Sequence, residues 1–221
     1  VGVSKLVLDI PVEHVIGLYA NMGLGMDTGL GLNGESGGML SHRRRWSDFE
    51  RATLSFGYGL SVTAAQLAKV YSTMANGGIS RPLTILKHGE TGVGEQVLDR
   101  RHAAAMLEMM EANIMPGGTA TRAQVKGYRV GGKTGTARKA VAGGYGEDYV
   151  ASFAGVGPVS EPRLACVVVI NEPAGDFYHG GEIAAPVFAN IMGATMQLLN
   201  LTPDASSQPM LSAVAGGRNA G

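Results

Sequence analysis

The densest concentration of chemically capable residues is Gly131-Gly132-Lys133-Thr134-Gly135-Thr136-Ala137-Arg138, which holds a fixed cation, two hydroxyls and a glycine that lets a ligand approach the backbone. Such a set recognises an anion. In an extended chain, side chains alternate between faces, so Lys133 and Gly135 point one way and Thr134 and Thr136 the other. A carboxylate lying along the strand would then meet a hydroxyl and a backbone N–H together. Recognition through backbone groups needs an unpaired edge, so Lys133 to Thr136 is predicted on an edge strand of an antiparallel sheet.

Two motif patterns overlap there. Residues Gly127 to Thr134 satisfy G-x-x-x-x-G-K-[ST], the phosphate-cradling loop of nucleotide hydrolases. That loop must open a helix facing the phosphates, whereas Thr134 is followed by Gly135, Thr136 and then glycines at 143, 144 and 146, which do not continue a helix. The second pattern is the K-[ST]-G element of penicillin-binding proteins and serine β-lactamases, which lies on a strand beside a nucleophilic serine. Gly29-Leu30-Gly31-Leu32-Asn33-Gly34 also fits the dinucleotide pattern G-x-G-x-x-G, yet Glu35-Ser36-Gly37-Gly38 cannot open the helix it requires.

Further stretches fall in the same order as in one family. Val1-Gly2-Val3-Ser4-Lys5-Leu6, Ala52 to Thr63 with Ser55-Phe56-Gly57-Tyr58-Gly59, the Lys133 strand, and Tyr178-His179-Gly180-Gly181 with Ala185-Pro186-Val187-Phe188 together resemble the division-specific class B penicillin-binding proteins of Gram-negative bacteria. The resemblance runs from Val1 to about Asp204. It implies an α+β fold, an antiparallel sheet with packed helices, forming part of a penicillin-binding/β-lactamase-like transpeptidase fold without its N-terminal portion. Residues 1–201 would be the C-terminal portion of the transpeptidase domain and residues 202–221, rich in Ala, Ser and Gly, a disordered tail.

In that family the nucleophile and its base form S-x-x-K, and a second element, S-x-N, ends just before the segment matching Val1-Gly2-Val3. Both are therefore expected upstream of this chain. No serine here has a lysine three positions later, and the nearest form, Thr136 to Lys139, lies inside the K-T-G element. Tyr19-Ala20-Asn21 fits Y-x-N but falls within a predicted helix and is read as coincidence.

The resemblance also implies roles. The family crosslinks cell-wall stem peptides by acyl transfer through a serine acyl-enzyme. The hydroxyls of Thr134 and Thr136 would hold the terminal carboxylate, Gly135 would let it approach, Lys133 would supply positive potential, and the N–H of Thr136 would form half of an oxyanion hole. Tyr178 and His179 stand where the family has an aromatic pair lining a side-chain pocket, and His179 departs from that pattern; Gly180 follows them. Tyr58 either borders the active site or is a packing tyrosine, and Arg138 either shapes the substrate side of the strand or is a solvated arginine. The implied partners are stem peptides, β-lactam antibiotics and division-complex membrane proteins including a lipid-II polymerase, at the periplasmic face of the inner membrane through an upstream anchor. No cofactor is implied. A β-lactamase and a noncatalytic penicillin-binding-like fragment are the alternatives; against the first, no acidic residue is placed as a deacylating base.

Composition agrees with a soluble globular domain: 221 residues, 45% hydrophobic, with no apolar run long enough to span a bilayer. The 18 basic and 18 acidic residues balance, which removes the electrostatic footprint of a nucleic-acid binder. Histidines 14, 42, 88, 102 and 179 and the single Cys166 show no metal-ligand spacing, so no metal is expected.

The elements that must position the strand can be read by period. An amphipathic helix is predicted over Asp9–Met22 with Gly23 closing it, and mostly loop over Leu24–Ser47. A helix capped by the box Thr63-Ala64-Ala65-Gln66 ends at Gly77-Gly78. A short strand is predicted over Leu83–Leu86, then a helix over Asp99–Ile114 with Ala103, Met106, Leu107, Met110 and Ile114 inward. Apolar runs at Ala151–Val159 and Arg163–Ile170 form a hairpin behind the Lys133 strand. A last helix from Gly181 to Asn200 would pack with Ile183, Val187, Ile191, Met192, Met196 and Leu199 inward.

Overall fold

The computed structural model describes residues 2–41, 43, 45–87 and 92–205. In chain order it contains α1 (Gly2–Leu8), α2 (Val12–Asn21), β1 (Met39–Leu40), α3 (Asp48–Leu54), β2 (Leu60–Ser61), α4 (Ala64–Ala75), β3 (Ile79–Ser80), β4 (Glu95–Gln96), α5 (Arg100–Ala112), β5 (Gly131–Val141), β6 (Gly144–Gly157), β7 (Leu164–Asn171) and α6 (Gly180–Leu198). No helix among the described residues is long and apolar enough to cross a membrane.

The centre is an antiparallel sheet in the order β5-β6-β7, the three strands expected from the apolar runs. Alternation along β6 sends Phe153 to one face and Val156 to the other, and each seeds a core. On the first face α6 lays Ala184, Ala185, Phe188, Met192 and Met196 against the sheet, all buried. On the second, Met74 of α4 and Met110 of α5 meet Val156. The strand that carries Lys133 is thus fixed from behind by a helix on either side.

The inward face of α6 differs from the one predicted. Val187, Ile191 and Leu199 are 40%, 46% and 51% exposed, while Ala184 and Ala185 are fully buried. The reason lies in β6: a Cβ at Gly155 would stand 2.8 Å from the Phe188 ring, and one at Gly157 would stand 2.5 Å from the Met196 methyl. Glycine grooves in the strand accept those two side chains, and small alanines let the helix settle to that depth. Pro186 sits inside α6. It has no N–H to bond the Glu182 carbonyl, and that carbonyl accepts from Arg122 Nη1 at 3.3 Å instead.

The capping box at Thr63 forms as predicted, with Gln66 reciprocating. Gln66 is fully buried and does more than cap, since its Nε2 donates to the carbonyls of Met26 and Gly37 at 2.8 and 2.7 Å. It therefore pins the long loop before Ser47. No strand forms at Leu83–Leu86, where Ile85 and Leu86 are exposed and the Leu86 N–H bonds to the Thr84 hydroxyl at 3.0 Å. That local side-chain bond replaces a ladder bond, and the pairing falls earlier, between Ile79–Ser80 and Glu95–Gln96. In α5, Ala103 and Met110 turn inward as expected, as does Ile114 just past its end, while Met106 is 37% exposed. Tyr19 donates its hydroxyl to the Leu54 carbonyl at 3.3 Å, and burial raises its pKa; it braces α2 against the end of α3, which fits the reading of Tyr19-Ala20-Asn21 as coincidence.

Residues 202–205, assigned by sequence to the tail, are held in place; residues 206–221 lie outside the described residues. The Asp204 carboxylate accepts from the Arg129 N–H at 2.7 Å and from the Ser160 N–H and hydroxyl at 3.1 and 2.7 Å. Partial burial raises its pKa, but these bonds outweigh burial and hold it below the ordinary value. A lowered carboxylate contributes stability in full above the ordinary aspartate range and loses it as pH falls below that range through its own lowered value. Asp204→Ala should lower stability at pH 7 by about 1–2 kcal/mol, the order of hydrogen bonds to one half-buried charge, and the loss should be smaller at pH 3 than at pH 7. Melting curves of both chains at pH 7 and pH 3 check this, and equal melting at pH 7 would refute it.

Candidate active site on the β5 edge

The β5 strand pairs with β6 along one side, Lys133 opposite Ala154 through Thr136 opposite Ala151, and has no second partner strand among the described residues. The edge-strand expectation is met, and no helix starts at Thr134, so the phosphate-loop pattern lacks its structural context. The register places Thr134 beside Phe153 and Thr136 beside Ala151, on the face covered by α6. Lys133 and Gly135 face the other way.

Thr136 is exposed, and its Oγ1 accepts the N–H of Gly180 at 3.1 Å. Because the backbone donates, the threonine keeps its own proton for a ligand. This contact needs two glycines at the start of α6. A Cβ on Gly180 would lie 2.3 Å from the Ser152 carbonyl oxygen and 2.5 Å from that of Gly135, and one on Gly181 would lie 2.5 Å from the Thr119 carbonyl oxygen. The positive end of a 19-residue helix is thereby pressed against the strand edge, which favours an anion there. Lys133 is exposed and curls over its own strand, its Nζ donating to the Thr134 carbonyl at 3.2 Å and hydroxyl at 3.1 Å.

Further along the same face, Arg138 Nε donates to the Tyr149 hydroxyl at 3.2 Å and its guanidinium stands 5.6 Å from the Tyr149 ring centroid. The hydrogen bond to Tyr149 raises the arginine pKa further above its usual value. Tyr149 stacks on Tyr178 at 4.2 Å, and Tyr178 contacts His179 at 4.3 Å. Arg138 is therefore exposed but anchored at the end of a row of rings. Tyr149 was missed by sequence reasoning; the one available signal was its place in the hairpin, directly opposite Arg138.

Tyr58 belongs to a different recess. It packs edge-on against Tyr145 at 5.3 Å and lines a cavity of about 520 Å³ with Trp46, Phe49, Phe56 and Arg138. Arg138 is shared between the two regions, whereas Tyr178 and His179 do not line that cavity. No serine hydroxyl among the described residues bonds to a lysine amine; the two lysine side chains with hydrogen bonds meet threonine and glutamate.

A strand with this threonine row invites comparison with known proteins. Residues 1–193 match the family model described as penicillin binding protein transpeptidase domain. The chain belongs to the penicillin-binding protein transpeptidase family. It is 48% identical to peptidoglycan D,D-transpeptidase FtsI of Escherichia coli K12 over 93% of its length, and 38% identical to the probable peptidoglycan D,D-transpeptidase PenA of Neisseria gonorrhoeae over 92%. In both cases it spans only 35% of the relative. Among solved structures, the transpeptidase domain of Burkholderia pseudomallei penicillin-binding protein 3 superposes with a TM-score of 0.87 at 38% identity, covering 92% of this chain and 62% of that one. The sheet with helices on both faces is accordingly the transpeptidase fold, seen in part.

Proposed function

We propose that this chain is the carboxylate-recognising part of a division-specific class B peptidoglycan D,D-transpeptidase. The observation that carries the reading is the Thr134–Thr136 row on the free edge of β5, with the Gly180 N–H spent on Thr136 so that its hydroxyl proton faces a ligand. A D-alanyl-D-alanine stem peptide, or the β-lactam that mimics it, would lie antiparallel to β5 with its carboxylate on those hydroxyls. The Gly135 backbone permits close approach, the Thr136 N–H is the oxyanion donor on this side, and Lys133 supplies the positive potential. Arg138, Tyr178, His179 and Tyr58 would border the peptide side chains. The serine nucleophile and its lysine would come from upstream sequence, as would a membrane anchor holding the domain at the periplasmic face of the inner membrane beside a lipid-II polymerase.

The test uses the longer protein that carries S-x-x-K and S-x-N ahead of this chain. A labelled penicillin should acylate it at one serine and leave slowly, the behaviour of an acyl-enzyme with no deacylating base. Rapid turnover of the label would mean a β-lactamase, and no label at all would mean a noncatalytic protein; either defeats the reading.

A further inference from the structure

We infer that Asn113 and Thr119 are positioning residues that set the place and the proton direction of the Thr134 hydroxyl. The inference rests on the proposed role of Thr134 in carboxylate recognition and concerns residues outside the Lys133–Thr136 stretch. It follows from which atoms can donate. Asn113, the C-cap of α5, gives its Nδ2 to the Gly132 carbonyl at 2.8 Å. A carbonyl only accepts, so the amide cannot be flipped, and Oδ1 must face Thr119. There it accepts the Thr119 N–H at 3.3 Å and the Thr119 hydroxyl at 2.8 Å.

The single hydroxyl proton of Thr119 is thus committed to Asn113. At the 3.3 Å contact between Thr119 Oγ1 and Thr134 Oγ1, Thr119 can then only accept. Lys133 Nζ, which has no acceptor capacity, donates to Thr134 Oγ1 from the other side. The direction runs from Lys133 to Thr134 to Thr119 to Asn113, and Asn113 closes it onto β5 at Gly132. Each hydroxyl in this run donates to the next acceptor, which holds the Thr134 side chain in one rotamer with its proton on Thr119. A ligand carboxylate, a stronger acceptor than the neutral Thr119 hydroxyl, draws the Thr134 hydrogen bond to itself by rotation of the O–H alone, with the rotamer unchanged.

The local backbone is built to deliver Thr119. A Cβ on Gly118 would fall 2.0 Å from the Asn113 carbonyl oxygen, so only glycine allows the chain to turn back tightly after α5. Gly181 meets the Thr119 carbonyl from the opposite side. The Thr119 backbone thus lies between the end of α5 and the start of α6, with its exposed side chain beside the hydroxyl it would hold.

The experiment is stopped-flow acylation of the longer protein by a labelled penicillin, separating the noncovalent dissociation constant from the limiting acylation rate. Thr119→Val should raise the dissociation constant by about 3-fold, the order of re-fixing one of three Thr134 rotamers when the ligand binds, and leave the limiting rate within about twofold. Thr119→Ser, which keeps the hydroxyl, should behave as wild type, and Asn113→Leu should match Thr119→Val. A dissociation constant unchanged by Thr119→Val, or a Thr119→Ser variant as impaired as Thr119→Val, overturns the inference. If Asn113→Leu fails to fold, the two Thr119 variants decide. Thr134→Val separates the layers: if it raises the dissociation constant while Thr119→Val does not, only the positioning role falls, and if it changes nothing, the carboxylate reading falls and takes this inference with it.

Discussion

Incubated with excess labelled penicillin for hours, the isolated 221-residue chain should carry no covalent adduct by intact-mass spectrometry, while the longer protein is fully modified. The difference is all or nothing because acylation needs an activated serine. Activation requires a base within about 2.6–3.2 Å of the hydroxyl. The serines nearest the candidate site do not meet that condition. Ser152 pairs opposite Gly135 on the sheet, where its Oγ occupies the space a side chain at Gly135 would need. Ser55 donates to the Ala52 carbonyl at 2.6 Å and lies 3.4 Å from Ser4. No lysine or histidine among the described residues bonds to either hydroxyl. A stable adduct mapped to any serine of this chain would overturn both the expectation and the placement of the nucleophile upstream.

In the longer protein, Thr136→Val should slow penicillin acylation at limiting concentration by about 10- to 100-fold, the order of one charge-assisted hydrogen bond to the ligand carboxylate. Valine keeps the branched shape suited to a strand, so the fold should survive. It also leaves the Gly180 N–H without its acceptor, which should lower stability by about 1 kcal/mol. Thr136→Ser restores both bonds and should restore both measurements. Acylation by Thr136→Val at the wild-type rate, with a normal melting curve, would show that this hydroxyl does not meet the ligand. The Gly180 contact makes the prediction sharper, because it fixes which way the hydroxyl proton points before the ligand arrives.

Much of this was legible in the sequence because it is local. The Thr63 box, the ends of α5, the strand period of Ala151–Val159 and Arg163–Ile170, and the alternation of Lys133 with Thr134 depend on residues within a few positions of one another. The collinear motifs also pointed to the family before any fold was known. Where local signals gave two answers, the choice went wrong: α6 carries large apolar residues all round, and counting them favoured Val187 and Ile191 over Ala184 and Ala185. Leu83–Leu86 is apolar enough to be a strand but pairs with no strand among the described residues.

By itself, then, the sequence determined the alternation of Lys133 with Thr134 and Thr136 on an edge strand, most of the helices that frame it and the absence of an S-x-x-K element in this chain. Tertiary structure decided how that chemistry is aimed. Gly180 is 44 positions from Thr136 and Asn113 is 19 from Gly132, and no periodicity links residues so far apart. The contacts exist because glycines at 118, 180 and 181 let backbones approach to distances that any side chain would block. A glycine in a sequence shows only that no side chain is present; what fills the vacated space is settled when the sheet and its helices close around it.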